Sequence, residues 1–167
     1  TVPAMLIRAL EDGWPIIFKQ PRVGERGRIF HLYKIRSMWR KYCIGPQFKE
    51  REAENRKLLD KITREYGIDN GPVKRISDRD PRITPLGHFI RRWSIDELPQ
   101  MWNVLRGEMS IIGPRPHEPE EVENYASEHR RVLAIKPGIT GMRQISGRRD
   151  LSFNDEARLD TWYIEHW

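Results

Sequence analysis

Cysteine is almost absent from this sequence: Cys43 is the single example among 167 residues. One thiol excludes an intrachain disulfide and any metal site made of several cysteines. An unpaired thiol is typical of proteins in a reducing compartment, and it favours a domain that faces the cytoplasm.

Long apolar runs are missing as well. The longest, such as Trp14 to Phe18, are far shorter than the roughly 20 residues that a membrane-spanning helix requires. The sequence shows no signal peptide, internal repeat or low-complexity tract. Because the chain opens at Thr1 rather than at a methionine, we expect any firm membrane anchor to lie in a segment upstream of it.

Charge is what the chain has in abundance. Charged residues make up 32% and hydrophobic residues 38%, a balance typical of one domain over residues 1–167 with a modest core. The net charge of +6 is uneven, because residues 1–41 carry nine Lys/Arg against three Asp/Glu and residues 71–92 carry six against two. Such clustering suits a surface that meets phosphates of nucleic acid, lipid or a small ligand, and a solvated basic face explains it equally well.

Residue patterns predict a compact α+β fold. Residues 14–20 and 28–36 are rich in β-branched and aromatic residues and flank a glycine-containing turn at 24–27, which predicts a β-hairpin. Residues 67–87 are rich in Gly, Pro and Asp and are interpreted as an irregular loop. Apolar residues recur at helical spacing in four further segments, near residues 1–10, 48–66, 118–135 and 152–167. The first and last of these helices suit either core packing or seating at a membrane interface.

A fifth helix is predicted over residues 95–106, and Gly107 is expected to end it. Its apolar residues recur at helical spacing: Leu98, Met101, Trp102 and Leu105. The opposite face carries Asp96, Gln100 and Asn103. We expect this polar face to be the side that does not pack.

The adjacent acids Asp96 and Glu97 have two interpretations. Ser94 and Glu97 have the spacing of a capping box, in which both side chains bond to backbone amides at the helix start. Pro99 weakens this interpretation, because inside the helix it removes a hydrogen bond. The alternative is chemistry, since a helix N-terminus is also where an anionic phosphate docks. The residues alone leave both interpretations open.

Three stretches carry a family resemblance. Residues 94–116, SIDELPQMWNVLRGEMSIIGPRP, closely resemble the signature of the bacterial sugar transferases, which are monotopic phosphoglycosyl transferases. Residues 14–38 (WPIIFKQPRVGERGRIFHLYKIRSM) and 137–148 (PGITGMRQISGR) resemble further family motifs in the same order. Ser146 stands where the family usually carries asparagine. The resemblance covers nearly all of residues 12–167, and family members continue beyond that point.

The resemblance implies a two-step transfer of a sugar-1-phosphate from a nucleotide sugar, with UDP as the expected nucleotide, to polyprenyl phosphate. This is the first membrane step of surface glycan assembly. Asp96 would be the nucleophile, forming a covalent aspartyl-phosphosugar, and Glu97 would hold Mg²⁺ or Mn²⁺. Asp78 and Asp80, in the loop that resembles the family's loop before the catalytic helix, suit turn hydrogen bonds more than a metal.

The resemblance also implies phosphate ligands, because a guanidinium binds phosphate through two N–H groups. By their positions in or beside the matching motifs, the best candidates are Arg91, Arg115 and Arg148. Pro114 and Pro116 would hold Arg115 in a stiff turn. Lys34 and Arg36 alternate onto one face of the second predicted strand and are weaker candidates, because an exposed cationic strand edge explains them better.

The implied partners are a nucleotide-sugar donor, a polyprenyl phosphate acceptor and a membrane surface, at the cytoplasmic face of the bacterial inner membrane. A homo-oligomer stays open. Two other classes compete: a non-catalytic membrane-surface scaffold, and a nucleic-acid-binding module suggested by the pI of about 9.7. The sequence lacks zinc spacing, RNP-type aromatics and a basic recognition helix, so no specific nucleic acid is expected. The acidic pair beside arginines argues against a scaffold.

Overall fold

The computed structural model describes residues 2–66, 80–123, 125, 129–146 and 153–166. Its α-helices are α1 Val2–Asp12, α2 Glu52–Glu65, α3 Pro85–Arg92, α4 Gln100–Leu105, α5 Pro119–Glu123, α6 Met142–Ile145 and α7 Phe153–His166. Its strands are β1 Ile17–Val23, β2 Ile29–Ile35, β3 Ser110–Ile112 and β4 Gly138–Thr140. Short 3₁₀ helices cover Glu25–Gly27, Arg40–Tyr42, Pro46–Arg51, Ile95–Glu97 and His129–Ala134. This mixture of helix and sheet confirms the predicted α+β class.

The chain divides into two compact units, each assembled from two stretches of sequence. The first unit comprises Thr1–Gln20 and Tyr33–Pro99. The second unit comprises Pro21–Leu32 and Gln100–Trp167. The acidic pair belongs to the first unit, and α4 belongs to the second. One domain over 1–167 stays a prediction.

The predicted hairpin is confirmed as β1 paired with β2. β1 begins three residues later than predicted, after Pro15, which has no N–H to give to a ladder. The connection is the 3₁₀ turn Glu25–Gly27, in which the Gly27 N–H donates to the Gly24 carbonyl at 3.1 Å. Gly27 has a φ of +76°, a conformation that glycine adopts without steric cost.

Three isoleucines form the buried centre of the first unit: Ile16, Ile35 and Ile90. Met5 and Ala9 of α1 pack against this cluster, so part of the α1 stripe serves the core. Cys43 is also buried in this unit, with its sulfur 3.4 Å from the Trp39 carbonyl oxygen. No helix among the described residues has the length and apolar character needed to cross a bilayer.

Helix α3 corrects the prediction that residues 67–87 form a loop throughout. Thr84 caps it by accepting a hydrogen bond from the Gly87 N–H at 2.9 Å, and Pro85 opens the first turn. A capping threonine followed by proline is a helix-start pattern that the loop interpretation overlooked. Gly87 allows α3 to lie against Ser37, because a Cβ there would sit 2.0 Å from the Ser37 carbonyl oxygen. Residues 67–79 lie outside the described residues.

The second unit contains a short parallel sheet that no sequence pattern predicted. β3 pairs with β4 so that Ser110 lies opposite Gly138 and Ile112 opposite Thr140. A Cβ on Gly138 would sit 2.2 Å from the Gly113 nitrogen. The absence of a side chain at Gly138 thus allows these two backbone segments to approach each other closely. Phe30, Leu32 and Met109 form the core of this unit.

The single helix predicted over residues 118–135 is wrong. α5 ends at Glu123, Tyr125 is not helical, and His129–Ala134 is a 3₁₀ helix. The cause is local: the buried Tyr125 hydroxyl forms a hydrogen bond with His117 Nδ1, which takes this residue out of a helical stripe. His129 packs edge-on against Tyr125 with ring centroids 6.1 Å apart. The terminal helix is confirmed as α7, although Ser152 and Trp167 lie outside the described residues.

Candidate active site

In α4, the helix after the acidic pair, the buried face and the exposed face are reversed relative to the prediction. Gln100 and Asn103 are buried, whereas Trp102 is 56% exposed and Leu105 is 77% exposed. The Asn103 side-chain amide donates hydrogen bonds to the His31 carbonyl at 2.8 Å and to a Glu108 carboxylate oxygen at 2.7 Å. These bonds hold the polar face inside the second unit. The predicted packing of the apolar stripe is therefore wrong.

The capping box predicted between Ser94 and Glu97 is also wrong. Ser94 has a left-handed backbone with φ of 52°, and its side chain makes no cap hydrogen bond. The acids lie in the separate 3₁₀ turn Ile95–Glu97, and α4 begins only after Pro99. Pro99 thus separates the two helical segments, because a proline inside a helix removes a hydrogen bond.

Glu97 has an ionic partner in place of a capping role. The ammonium group of Lys34 donates a hydrogen bond to Glu97 Oε1 at 2.9 Å. Both side chains are 32% exposed, so the carboxylate remains accessible from solvent. Lys34, a weaker phosphate-ligand candidate from the sequence, therefore lies beside the acidic pair and contacts a carboxylate there.

Asp96 is the more deeply buried acid, with 8% of its surface exposed. Burial raises the pKa of Asp96 above its ordinary value, and the negative charge of Glu97 adds to that effect. Lys34 and Arg91 oppose the shift, because both cations favour the ionised carboxylate. The pair thus consists of one desolvated acid and one half-exposed acid side by side.

Arg91 is fixed next to this pair by Ser37. Its Nε donates a hydrogen bond to Ser37 Oγ at 2.7 Å. Burial lowers the pKa of Arg91, and the carboxylates Asp96 and Asp80 counter that effect. An arginine starts so far above neutrality that it stays cationic here. Arg91, predicted as a phosphate ligand, therefore brings a fixed positive charge to Asp96.

Asp80 is bound to its own loop. Its carboxylate accepts hydrogen bonds from Arg82 Nη2 at 2.7 Å, Arg82 Nε at 2.9 Å and the Arg82 backbone N–H at 2.9 Å. Burial alone would raise the pKa of Asp80, but the hydrogen bonds from Arg82 outweigh it and the pKa lies below its ordinary value. This bonding matches the preferred turn interpretation of Asp80. Asp78 lies outside the described residues.

Arg36 has a structural position in the first unit. Its guanidinium pairs with the Asp12 carboxylate, and its Nε donates to the Pro15 carbonyl at 2.8 Å. A further N–H donates to the Met38 carbonyl at 3.2 Å, and the side chain is almost fully buried. These contacts argue against Arg36 as a phosphate ligand. Arg36 contacts Asp12 and backbone carbonyls, whereas Lys34 contacts Glu97.

Arg115 lies within a charged network of the second unit. Its guanidinium is 3.7 Å from Glu121 and 3.7 Å from Glu156, on either side. Arg143 Nε lies 2.7 Å from the other oxygen of Glu156, and Arg22 lies 3.7 Å from Glu121. Arginines and acids therefore alternate through this network. Arg148 lies outside the described residues.

Two titratable groups of the network have strongly shifted pKa values. Burial, reinforced by Glu156, raises the pKa of Asp160 to about 7, although Arg115 and Arg143 oppose the shift. Burial, with Arg115, Arg22 and Arg143 in support, lowers the pKa of His117 to about 3. The imidazole is thus neutral at physiological pH. Such shifts are common at functional sites.

Sequence reasoning missed seven residues of these two clusters: Arg22, Ser37, His117, Glu121, Arg143, Glu156 and Asp160. Glu156 and Asp160 carried one usable signal, because acids four residues apart on a helix share a face. Ser37 carried none, since nothing in a strand-end serine points to an arginine 54 positions away.

The donor set of the acidic pair suits a hard divalent cation. Mg²⁺ binds through one or two carboxylates together with substrate phosphates and water. Glu97 offers a half-exposed carboxylate next to Asp96, which fits this requirement. Among the described residues there is no cluster of three or more His, Cys, Asp or Glu. A cation that is also bound by substrate phosphates does not need three protein ligands.

Comparison with known proteins matches the whole chain. The model of a family described as bacterial sugar transferase covers residues 1–167. A galactosyl transferase of Streptococcus agalactiae is 44% identical over 161 residues, which is 94% of this chain and 32% of that protein. The undecaprenyl-phosphate galactose phosphotransferase of Salmonella typhimurium is 36% identical, over 96% of this chain and 31% of its own. The undecaprenyl-phosphate glucose phosphotransferase of Komagataeibacter xylinus is 37% identical over 182 residues, which is 100% of this chain and 29% of that protein. The chain thus spans about a third of the length of each of these relatives.

Proposed function

Because the chain belongs to the bacterial sugar transferase family, we propose that it transfers a sugar-1-phosphate from a nucleotide sugar to a polyprenyl phosphate. The names of two relatives support the lipid phosphate acceptor. UDP is the proposed nucleotide of the donor. The product is a sugar attached to a polyprenyl diphosphate, the first lipid-linked intermediate of a surface polysaccharide.

The observation that carries the proposal is the unequal burial of two adjacent carboxylates. Asp96 is desolvated, which suits a nucleophile because fewer water molecules must leave before it attacks. Glu97 is half-exposed, which suits a ligand of a cation that arrives with the substrate. Arg91 and Lys34 supply positive charge close to Asp96, which would offset the negative charge of an incoming diphosphate.

The proposed reaction has two steps. In the first, an oxygen of the Asp96 carboxylate attacks the phosphorus that carries the sugar. The bond from that phosphorus to the bridging oxygen breaks, and the nucleoside monophosphate leaves with the electron pair. In the second, an oxygen of polyprenyl phosphate attacks the same phosphorus and Asp96 departs as a free carboxylate. Ping-pong kinetics follow from this order.

Glu97 is the proposed ligand of Mg²⁺ or Mn²⁺. The cation would neutralise charge on the diphosphate as the leaving group departs. Arg91 would bind a phosphate oxygen through its outer N–H groups, while Ser37 holds its Nε. Arg115 and Arg148 are further proposed phosphate ligands, on the strength of their family motifs.

An acceptor with a polyprenyl chain places the reaction at a membrane surface. We propose the cytoplasmic face of the inner membrane, where nucleotide sugars are available. The exposed residues Met101, Trp102 and Leu105 of α4 give this domain an apolar face that suits the lipid boundary. The basic segment 1–41 would add attraction to anionic headgroups.

Intact mass spectrometry tests the proposal directly. The full-length protein is incubated with one UDP-sugar at a time and no acceptor, and the expected result is a mass increase equal to one sugar phosphate on Asp96. Asp96→Asn should show no adduct. Added polyprenyl phosphate should then remove the adduct from the wild-type protein. Turnover without any covalent adduct would reject the two-step reaction, and absence of turnover with every donor would favour a scaffold.

A further inference from the structure

Arg115 is held in a particular way by the acids around it. Its two nearest carboxylates, on Glu121 and Glu156, are each 3.7 Å away. That separation is an ion pair but exceeds the length of a hydrogen bond. The two acids therefore fix the direction of the guanidinium without using its N–H donors, and a quarter of the Arg115 side chain is exposed to solvent.

Helix α7 supplies most of this support. Glu156 and Asp160 lie four residues apart on it, and both are almost fully buried. Glu156 also forms an ion pair with Arg143, whose Nε lies 2.7 Å from its other carboxylate oxygen, so a movement away from Arg115 would separate that pair as well. The Asp160 carboxylate forms a hydrogen bond with the backbone of Arg115. This bond fixes the turn from which the Arg115 side chain extends.

Two buried acids would be a costly way to secure a purely structural arginine. Buried carboxylates lose hydration, and replacing a buried ion pair with apolar residues is often neutral or stabilising. What the acids achieve here is a guanidinium with fixed direction and available donors. This is the arrangement that bidentate binding of a phosphate requires, because less side-chain freedom is lost when the phosphate binds.

We propose that Glu156 and Asp160 are positioning residues that hold Arg115 ready to bind a substrate phosphate. The inference rests on the proposed function, and it adds residues that lie outside the matching motifs. The phosphate belongs either to the nucleotide sugar or to polyprenyl phosphate, and both present the same oxygen atoms. The experiment separates these two sources.

The test is a double-mutant cycle in the full-length protein, with Glu156→Gln, Asp160→Asn and Arg115→Ala alone and combined. In ping-pong kinetics, kcat/KM for each substrate reports its own half-reaction, so the donor and the acceptor are varied separately. We expect Glu156→Gln and Asp160→Asn each to lower one of the two kcat/KM values by about 10- to 100-fold, the scale of a misplaced binding group. In the Arg115→Ala background the same changes should cost less than about two-fold, because residues that act as one unit are not additive.

Glu165→Gln is the matched control on α7. Glu165 is exposed and pairs loosely with Arg131 at 3.5 Å, so its loss should leave both kcat/KM values unchanged. Thermal unfolding of every variant detects a folding defect, and Asp160→Asn serves if Glu156→Gln does not fold.

Three results would overturn the inference. Full effects of Glu156→Gln and Asp160→Asn in the Arg115→Ala background would show that they do not act through Arg115. Unchanged kinetics in well-folded single variants would assign the acids to stability alone. Both results leave the proposed function standing, whereas a wild-type protein without turnover would remove the proposed function and this inference together.

Discussion

The Nε of Arg91 donates a hydrogen bond of 2.7 Å to the hydroxyl of Ser37, across 54 positions of sequence. Gly87 makes this contact possible, because its missing side chain lets α3 approach the backbone of Ser37. The bond joins the start of the loop after β2 to the helix that precedes the acidic pair. The direction of Arg91, a proposed phosphate ligand, thus depends on Gly87, which lies one helical turn before it.

Ser37→Ala removes the acceptor and leaves the Arg91 guanidinium free to turn. We expect kcat/KM for the sugar donor to fall about 10-fold, since a hydrogen bond to a charged group contributes roughly 1.5 kcal/mol. Nucleoside monophosphate release by the full-length protein measures it. In an Arg91→Ala background the substitution should have little further effect. An equal loss in both backgrounds would mean that Ser37 acts by another route.

Asp96→Asn should abolish activity without harming the fold. Turnover is expected to fall by about 10⁴-fold or more, the scale seen when a covalent catalyst loses its nucleophile. Because the buried carboxylate is poorly solvated, its neutral analogue should unfold at the same or a higher temperature at neutral pH. Differential scanning calorimetry checks the second point. The exposed Asp60 of α2 provides the control, since Asp60→Asn should change neither quantity.

Lys34→Met should make the protein bind its divalent cation more tightly. Lys34 occupies one oxygen of the Glu97 carboxylate and repels a cation by its charge. The Mg²⁺ concentration for half-maximal turnover should therefore fall about two- to five-fold, the equivalent of roughly 0.4 to 1 kcal/mol for a partly exposed pair. Lys41→Met removes an exposed lysine elsewhere in the first unit and should leave it unchanged. A higher Mg²⁺ requirement in Lys34→Met would place the cation away from Glu97.

Asp160→Asn should alter how stability depends on pH. The pKa of Asp160 is raised from 3.8 to about 7, so the folded state holds a proton that the unfolded chain releases. The resulting stability is fully present below about pH 4 and is lost as pH rises through about 7. The free energy of unfolding of Asp160→Asn, relative to wild type, should thus rise between about pH 4 and pH 7, by at most about 1.4 kcal/mol per pH unit. Denaturant titrations at several pH values measure the difference, and a constant difference would mean that Asp160 does not titrate there.

Trp102→Ser should weaken binding of the 1–167 domain to anionic vesicles. The exposed indole lies on the apolar face of α4, and its loss should cost about 1 kcal/mol of transfer free energy, or roughly five-fold in partitioning. Co-sedimentation in high salt isolates this apolar part from the salt-sensitive attraction of basic residues. Tyr66, an aromatic residue 57% exposed on a different helix end, gives the control Tyr66→Ser. Equal losses for both variants would mean that α4 has no special contact with lipid.

The sequence predicted elements that local patterns define, such as the hairpin and α7, because strand and helix periodicity depend on near neighbours. It failed where a distant partner decided the outcome. In α4, hydrogen bonds from Asn103 to His31 and Glu108 turned the polar face inward. The β3–β4 pairing joins segments 28 positions apart, as Ser110 with Gly138, and each strand has three residues, too few to show a period.

The candidate site was predictable to a similar extent. The family motif predicted Asp96, Glu97 and Arg91 as site residues. The structure places these three residues and Lys34 in the first unit. Arg36 was predicted as a candidate because it alternates with Lys34 along the strand. In the structure it follows the end of β2 and forms an ion pair with Asp12. Alternation tells which face a residue occupies, and it carries no information about the depth of that face or its partners.

The burial of Cys43 has a practical consequence for labelling. Its sulfur lies beside the backbone carbonyls of Met38 and Trp39, just before the 3₁₀ helix Arg40–Tyr42, and the residue is buried, so reagents have poor access to it. A cysteine introduced at Leu105 would be far more accessible than the native thiol within these 167 residues. A spin label or fluorophore can therefore be attached to the apolar face of α4 without first replacing Cys43, and its quenching by lipid-borne groups would report how deeply that face enters a bilayer.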